Sequence, residues 1–444
     1  MKTLALALFL TPLAVHAELI ALKGARVIEG TAKPPIDNAV LIVKDEFITG
    51  LGPAKTLKVP EGARVIDVKG RTIMPGIVNA HGHVGLVAHG KNSADAYTRE
   101  NVLSQLLQYE KFGVTAVCSL GLNRDLVYEI RDEQRAGNTI PGATLLTAGR
   151  GIGVPDAAPP VPVAPDQVYR PKTPEEAVEM VKETMTHHPD LIKIWVDDVY
   201  EKFPKMTPDI YKAVIEEAHA EGARVAAHVF YLADAKALAA AGVDAFAHSI
   251  RDKPVDGDLI KVMIRESIDY IPTLTVDESA FIFAEDPSLL KDPMLAAAAG
   301  PETMQMLKSP EYKRKVESDP NTPKIKAAFA MAKKNLKTLS DAGVRIAFGT
   351  DSGAQPVRIP GWAEHRELWL MVKAGLTPLQ AIKAATNGAA NVAGVSRERG
   401  TIEVGKRADF LVLAADPTKD IRNTRKILQV WHDGREMAPA VAAK

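Results

Sequence analysis

The sequence predicts an α/β protein: a (β/α)8 TIM-like barrel with a small β-sandwich domain formed from both chain ends. Short apolar strands alternate with helical patterns along the middle of the chain. Several of the helical patterns end in a glycine directly before the next strand, and both ends of the chain are rich in short strands. Repeated strand–helix units are typical of a parallel barrel.

Length and composition limit the classes of function. The 444 residues are enough for a barrel with one appended domain. The 55 basic and 55 acidic residues balance, and no basic stripe stands out, which argues against nucleic acid as a partner. Cys118 is the single cysteine, so neither an intrachain disulfide nor a thiolate metal cluster can form. We therefore expect a small-molecule partner. The oligomeric state, including a homo-oligomer, stays open.

The first 17 residues have the pattern of an export signal. Lys2 is followed by the apolar run Leu4 to Leu10, and Val15-His16-Ala17 offers small residues for cleavage. This segment is short for a membrane span; a buried first strand or helix is the alternative. We predict a signal peptide over residues 1–17, cleavage after Ala17, no membrane anchor afterwards, and a periplasmic or secreted protein.

Both chain ends are predicted to contribute to one composite β-domain, residues 18–72 and 401–440. Short runs rich in β-branched and other apolar residues are separated there by Gly, Pro, Asn and Asp. The strand candidates are Leu19 to Leu22, Ala39 to Val43, Arg64 to Val68, Asp409 to Leu413 and Ile427 to Trp431.

Residues 73–400 are predicted to form the barrel. Its strand candidates are residues 73–79, 114–117, 143–148, 191–196, 224–227, 243–246, 270–274 and 344–348. Thr173-Pro174-Glu175-Glu176 and Thr377-Pro378-Leu379-Gln380 have the cap chemistry of helix starts. Gly113, Gly222, Gly242 and Gly343 are predicted to end helices before a strand.

One insertion interrupts the alternation. Residues 277–324 are partly helical and contain six prolines. A long insertion of this kind on the catalytic face is either a lid over the site or a surface decoration, and the sequence leaves both open.

Four histidines lie at the ends of three predicted strands. His81 and His83 follow the first strand and, being two residues apart, point the same way. His228 ends the fifth strand and His248 the sixth. The C-terminal strand ends form the active face of such barrels, and neutral imidazole is a zinc ligand. A single histidine there is more often an ordinary hydrogen-bonded side chain, but the group of four predicts a metal site.

Lys193 and Asp351 complete this set. Lys193 lies inside the apolar strand 191–196, where an unpaired ammonium is costly. A neutral lysine can incorporate carbon dioxide as a carbamate (N6-carboxylysine) that bridges two cations; a salt bridge is the alternative. Asp351 ends the eighth strand and is predicted to bind metal and to act as the catalytic proton carrier.

Three segments together resemble a known family. They are Met74-Pro75-Gly76-Ile77-Val78-Asn79-Ala80-His81-Gly82-His83, Gly349-Thr350-Asp351-Ser352, and residues 400–410. The chain resembles the amidohydrolase superfamily, in the branch of imidazolonepropionases and Xaa-Pro dipeptidases with a carboxylated lysine. The resemblance covers nearly the whole mature chain.

The resemblance implies a binuclear metal centre. One divalent ion would be held by His81, His83 and Asp351, the other by His228 and His248, with carboxylated Lys193 as the bridge. Zn2+ is the expected metal, while manganese, cobalt and iron suit similar ligands. A hydroxide shared by both ions would attack the substrate carbonyl, and Asp351 would pass its proton to the leaving group.

The substrate implied by the resemblance is a dipeptide or an N-acyl amino acid. Tyr231, three residues after His228, is expected to contact it. Arg150, after the third strand, is a candidate for binding a carboxylate, with a structural salt bridge as the alternative. A cyclic amide or lactone hydrolase and an inactive binding homologue are the competing functions.

Overall fold

The computed structural model describes residues 18–137 and 140–441. The predicted signal peptide, residues 1–17, lies outside the described residues. The strands are β1 Leu19–Val27, β2 Ile36–Lys44, β3 Phe47–Pro53, β4 Arg64–Asp67, β5 Thr72–Pro75, β6 Ile77–Gly82, β7 Val87–Ala88, β8 Lys91–Asn92, β9 Val114–Ser119, β10 Thr144–Thr147, β11 Ile192–Trp195, β12 Val225–His228, β13 Ala245–Ala247, β14 Asp269–Ile271, β15 Phe410–Leu413, β16 Ile427–His432 and β17 Arg435–Met437.

Helices alternate with the central strands. They are α1 Arg99–Lys111, α2 Leu126–Arg135, α3 Pro174–Met185, α4 Pro208–Ala220, α5 Leu232–Ala240, α6 Gly257–Arg265, α7 Thr275–Glu278, α8 Ile282–Glu285, α9 Pro293–Lys308, α10 Pro310–Ser318, α11 Thr322–Asp341, α12 Trp362–Lys373, α13 Pro378–Lys383 and α14 Ala389–Val392. Thr173 and Thr377 cap α3 and α13 as predicted. Among the described residues, no helix combines the length and apolar character needed to cross a bilayer.

The two chain ends form one mixed sheet of eight strands. Its order is β17-β16-β15-β5-β1-β2-β3, and β4 also pairs with β1. One hydrophobic cluster packs against this sheet and includes Ile20, Leu22, Leu41, Phe410 and Trp431. β5 hydrogen-bonds to both β1 and β15 and so joins the strands of the two chain ends in one connected sheet, while the predicted sandwich arrangement of these strands stays a prediction.

The central strands form two parallel sheets. Their orders are β10-β9-β6 and β11-β12-β13-β14. Isolated parallel bridges extend both sheets, joining Ile152 to Ile194, Tyr270 to Ile346 and Gly82 to Ser352. The predicted eighth strand thus lies between β14 and β6, where isolated bridges and backbone hydrogen bonds hold it, among them those from Ala80 N–H to the Phe348 carbonyl and from Ala347 N–H to the Tyr270 carbonyl. The α/β class and the composite terminal sheet agree with the prediction. Within the described residues, the central strands form two sheets joined by isolated bridges, not one closed barrel of eight continuous strands.

The first barrel strand begins later than predicted. The expected strand over residues 73–79 is divided at Gly76, with β5 in the terminal sheet and β6 in the central sheet. A Cβ atom on Gly76 would lie 2.3 Å from Thr115 Oγ1, so only glycine allows β6 to pass this close to β9. The domain boundary is therefore at Gly76, not between residues 72 and 73.

The insertion over residues 277–324 packs mostly on the outside of the central sheets. Phe283, Leu295 and Leu307 form a hydrophobic cluster with Phe112 and Trp362, which lie at the end of α1 and the start of α12. Trp362 Nε1 also donates a hydrogen bond of 3.0 Å to Asp292. Most of the insertion is thus docked on the barrel helices, and its first residues reach the cavity described below.

Gly349, in the eighth segment, packs closely against His81 of β6. A Cβ atom there would lie 2.6 Å from His81 Cβ and 2.7 Å from Ile271 Cγ2. We expect Gly349→Ala to lower the free energy of unfolding by about 1–3 kcal/mol, because the backbone must shift to relieve the overlap. Gly257→Ala is the control, since no atom lies within 4 Å of its Cβ position. Equal denaturant midpoints for the two variants would contradict this packing.

Candidate metal centre

The structure brings five of the six predicted ligand residues together at the C-terminal ends of the parallel strands, and the sixth, Lys193, lies within β11. The side-chain ligand atoms of His81, His248 and Asp351 all lie within 4.8 Å of one another. The ring centroids of His248 and His81 are 4.6 Å apart, and those of His248 and His228 are 4.3 Å apart. His83 completes the group through Asp351. The residues predicted from separate strands therefore form one buried cluster.

Asp351 links the two histidines of β6. Its Oδ1 atom lies 2.9 Å from His83 Nε2 and 3.3 Å from His81 Nε2, while Oδ2 is paired with Arg358. Burial opposes ionisation, but the Arg358 guanidinium and the imidazoles hold the pKa of Asp351 well below its usual range. The side chain is consequently a carboxylate, the form that ligates metal ions.

Three of the four imidazoles are oriented by a contact through one ring nitrogen. His83 Nδ1 lies 3.2 Å from the Gly121 carbonyl oxygen, and His248 Nδ1 lies 2.7 Å from Thr273 Oγ1. His228 Nε2 lies 2.8 Å from Asp197 Oδ2. Metal-ligating histidines characteristically hold one nitrogen on a protein oxygen, which leaves the other nitrogen for the metal.

Burial favours the neutral form of three imidazoles, those of His81, His228 and His248. Desolvation, together with nearby Lys193, lowers the pKa of His81 to about 3. Burial likewise lowers the pKa of His228, and burial and the neighbouring imidazoles lower that of His248 well below the ordinary value. Neutral imidazole is the ligating form of histidine, so the electrostatics favour metal binding over protonation.

Lys193 is the unusual member of the cluster. Its side chain is fully buried in β11, and its Nζ has no hydrogen-bond partner among the described residues. Burial lowers the pKa of Lys193 to about 7. The alternative of an ordinary salt bridge is therefore not formed within the described chain, and a substantial fraction of the amine is neutral near pH 7.

These residues fit a site for divalent cations. They supply neutral nitrogen donors and a carboxylate, which are ligands that zinc accepts. Lys193 Nζ and His81 Nδ1 are buried without hydrogen-bond partners among residues 18–137 and 140–441. Buried polar atoms are nearly always satisfied in folded proteins, so these two atoms indicate a further bound or covalently attached group.

A cavity of about 250 Å³ opens above the cluster. It is bordered by an apolar wall and by several polar side chains, namely Leu122, Ala158, Pro159, Pro160, Val161, Trp195, Asp197, Tyr200, Phe230, Arg251, Val276, Asp277 and Arg358. The sequence analysis did not single out Asp197, Arg251, Asp277 or Arg358. Asp197 and Arg251 follow the ends of β11 and β13, so their position in the sequence could have indicated them. Nothing in the sequence around Asp277 or Arg358 indicates a place at the cavity.

Comparison with known proteins identifies the family. The sequence model of the Amidohydrolase family matches residues 72–437. The chain belongs to the amidohydrolase family. This assignment confirms the resemblance derived from the motifs, and with the hydrolases among its relatives it identifies a hydrolase acting on carbon–nitrogen bonds.

Individual relatives agree with this assignment. Ochratoxinase of Aspergillus niger is 25% identical over 471 residues, covering 95% of this chain and 87% of that protein. An imidazolonepropionase of Deinococcus deserti is 37% identical over 102 residues, which is 22% of this chain and 25% of that protein. The solved structure of a Xaa-Pro dipeptidase with bound methionine superposes with a TM-score of 0.73 and 22% identity, covering 95% of this chain and 100% of that one. This last likeness shows the shared fold.

Arg150 is not among the described residues that line the cavity of this amidohydrolase. Its guanidinium lies 3.0 Å from Asp125 and 3.5 Å from Glu183, and it packs over the Tyr169 ring. The structure shows the salt-bridge alternative for Arg150, because Asp125 and Glu183 lie on neighbouring helical segments and face its charge, while its contact with a substrate carboxylate stays a prediction.

Tyr231 is also placed outside the cavity. Its hydroxyl donates a hydrogen bond of 2.8 Å to Asp198, and the Lys205 ammonium lies 4.3 Å from its ring centroid. The preceding residue, Phe230, lines the cavity instead. The contact of Tyr231 with a substrate stays a prediction.

Asp197 orients a predicted ligand without joining the cluster. We expect Asp197→Asn to weaken zinc binding by about 10- to 100-fold, because removal of the carboxylate releases the held nitrogen of His228. The measurement is zinc content after dialysis against buffers of fixed free zinc concentration. Asp198→Asn is the matched control, since Asp198 contacts Tyr231 and Lys205 instead. Equal zinc affinities for both variants would rule out this orienting role.

Proposed function

We propose that the protein is a binuclear metal-dependent hydrolase of amide bonds whose substrates are dipeptides or N-acyl amino acids. The observation that carries this proposal is the buried convergence of His81, His248 and Asp351 within 4.8 Å below an accessible cavity. The two parallel sheets, extended by bridges at both edges, support a closed (β/α)8 barrel as the scaffold.

The ligand set follows the family pattern residue by residue. His81, His83 and Asp351 would hold one ion, and His228 and His248 the other. Lys193 would bridge them as N6-carboxylysine; its burial, lack of a hydrogen-bond partner in the described chain and lowered pKa support this modification. Nitrogen and carboxylate donors favour Zn2+ as the metal.

In the proposed reaction, different side chains have different roles. When bound, the two ions acidify a water molecule and polarise the substrate carbonyl. Asp351, ionised in the folded protein, accepts the proton of the attacking water and delivers it to the leaving nitrogen. Asp197 and Thr273 fix the orientation of His228 and His248. The apolar wall excludes bulk water and so strengthens these interactions.

The substrate class is tested with a panel on zinc-reconstituted protein. Dipeptides, N-acyl amino acids, cyclic amides and lactones are assayed in parallel, and we expect turnover of at least one linear amide. Turnover of lactones or cyclic amides alone would replace this proposal by the ring-opening alternative. Less than one bound divalent ion per chain, with zinc and bicarbonate supplied, would instead identify an inactive homologue.

Lys193 provides a separate test of the binuclear centre. We expect Lys193→Ala to lose bound metal and to lower kcat/KM by more than the roughly 100-fold that loss of an orienting partner costs. Short carboxylic acids should restore part of the activity by replacing the carbamate. Wild-type protein equilibrated with 13C-bicarbonate should give a carbamate carbon signal in the NMR spectrum.

Lys205→Ala is the matched control for this experiment. Lys205 pairs with Asp198 and Asp234, and it does not line the cavity. We expect it to keep its metal and its activity. Full activity of Lys193→Ala would exclude a bridging role for this lysine.

Export is proposed from the sequence of residues 1–17. The chain expressed with its own N-terminus should be recovered from the periplasm or the medium, and N-terminal sequencing should begin at Glu18. Ala17→Arg should block cleavage, because signal peptidase requires a small residue there. Recovery of the uncleaved chain from the cytoplasm would contradict the proposal.

A further inference from the structure

Arg251 is a buried cation on the cavity wall that the proposed chemistry does not use. It lies three residues after His248, and only 7% of its surface is exposed. Its Nη1 donates hydrogen bonds to the carbonyl oxygens of Ser249 at 2.8 Å and Val229 at 3.4 Å. The guanidinium carbon is 4.7 Å from the centroid of the Phe230 ring. These contacts fix the guanidinium in one orientation at the cavity.

The hydrogen-bonding capacity of Arg251 is incompletely used. Its Nε atom is buried without a hydrogen-bond partner among the described residues. Asp277 Oδ1 lies 3.2 Å from this atom, so it supplies opposite charge without the geometry of a hydrogen bond. A guanidinium presents its donors as a planar fork that matches a carboxylate. A carboxylate in the cavity would therefore fit the donors of this fork beside Asp277.

The balance of charge around the cavity also favours an anion. Two guanidiniums line it, those of Arg251 and Arg358, together with the Asp277 carboxylate. Asp351 also faces Arg358, but as a proposed metal ligand its charge is offset by the cations. Asp197 is bonded to His228. Arg251 faces Asp277 and Arg358 faces Asp351, which in the proposed centre would also ligate a metal ion, so the cavity with its ions would carry positive charge that favours a substrate carboxylate.

Arg251 is the better placed of the two guanidiniums to hold a substrate. Arg358 Nη1 is committed to Asp351, at the centre of the proposed chemistry. Arg251 is instead anchored to backbone carbonyls on the rim and lies among Tyr200, Phe230 and Asp277. An apolar wall that includes Pro160 and Trp195 also borders the cavity. The cavity therefore has one surface for a charged group and another for an apolar group.

We propose that Arg251 binds the free α-carboxylate of the substrate, so that the substrates are N-acyl amino acids or dipeptides with an unblocked C-terminus and an apolar acyl portion. This inference rests on the proposed amide hydrolysis and specifies its substrate class. Arg251 contacts the part of the substrate that becomes the amino-acid product, while the apolar wall receives the acyl group.

Turnover of a matched pair of substrates tests this assignment. Zinc-loaded enzyme is assayed on N-benzoylglycine and on its primary carboxamide, which lacks the negative charge. We expect kcat/KM to favour the free acid by about ten- to hundredfold, the size of one charge-assisted contact. Arg251→Gln should abolish the preference, and Arg251→Lys should retain part of it because the charge remains. Arg150→Gln, which removes a guanidinium outside the cavity, should leave the preference unchanged.

A binding measurement separates this inference from the hydrolytic function. 3-Benzoylpropionate replaces the scissile N–H of N-benzoylglycine by CH2 and cannot be hydrolysed at that position. In calorimetry with zinc-loaded protein it should bind about tenfold or more tightly than 3-benzoylpropionamide, and Arg251→Gln should equalise the two affinities. Binding preference without turnover of any amide would support Arg251 as the carboxylate site while removing the proposed reaction.

Two results would overturn the role of Arg251. Equal affinity of wild-type protein for the acid and the amide would show that the cavity does not select a carboxylate, and this comparison needs no variant to fold. A preference that survives in folded Arg251→Gln protein would assign carboxylate binding to the metal ions or to Arg358.

Discussion

The burial of Lys193 is the constraint on which the rest of the site depends. Side chains alternate along β11, and Ile192 and Ile194 pack in the hydrophobic core, so Lys193 must point to the opposite side, together with Trp195. An ammonium without a partner is costly in that position. A lowered pKa reduces the cost, and the proposed reaction of the neutral amine with carbon dioxide would remove it by forming an anion that divalent metals stabilise. The same desolvation lowers the pKa values of His81, His228 and His248, whereas Asp351 is kept ionised by Arg358 and the imidazoles against the effect of burial.

A buried hydrogen-bond network holds the ligands in register. Asn79 donates to Thr350 Oγ1 at 2.9 Å and to Glu364 Oε1 at 2.8 Å, while its own Oδ1 accepts from the backbone N–H of His81 at 3.0 Å. Ser352 donates to the same Glu364 oxygen at 2.6 Å. The residues that flank Asp351 in the Gly-Thr-Asp-Ser motif are thus structural, because their side chains join β6 to the eighth segment in addition to the backbone hydrogen bonds between the two.

The cluster of His81, His83, His228, His248 and Asp351 could be predicted because each is a potential metal ligand at the end of a predicted strand, and parallel strands bring those ends together. Arg150 also follows a strand, but nothing in its own segment predicts that its guanidinium pairs with Asp125 and Glu183. The division of the first strand at Gly76 depends on contact with Thr115, a residue 39 positions later. The ion pairs of Arg150 and the division at Gly76 depend on the directions of loop side chains and on contacts between residues far apart in the sequence. The hydrophobic periodicity of a segment gives information on neither.

Helix α12 connects the proposed metal site to the part of the cavity wall that includes Asp277. Glu364 accepts the hydrogen bonds that hold Asn79 and Ser352 beside Asp351. One turn later, Glu367 accepts hydrogen bonds of 2.7 Å from the backbone N–H groups of Leu274 and Thr275, which begin the helix carrying Asp277. Glu367 is fully buried, and burial raises its pKa to about 8. Because both glutamates project from one rigid helix, the position of Asp277 is tied to that of Asp351, although the two carboxylates come from different strand ends.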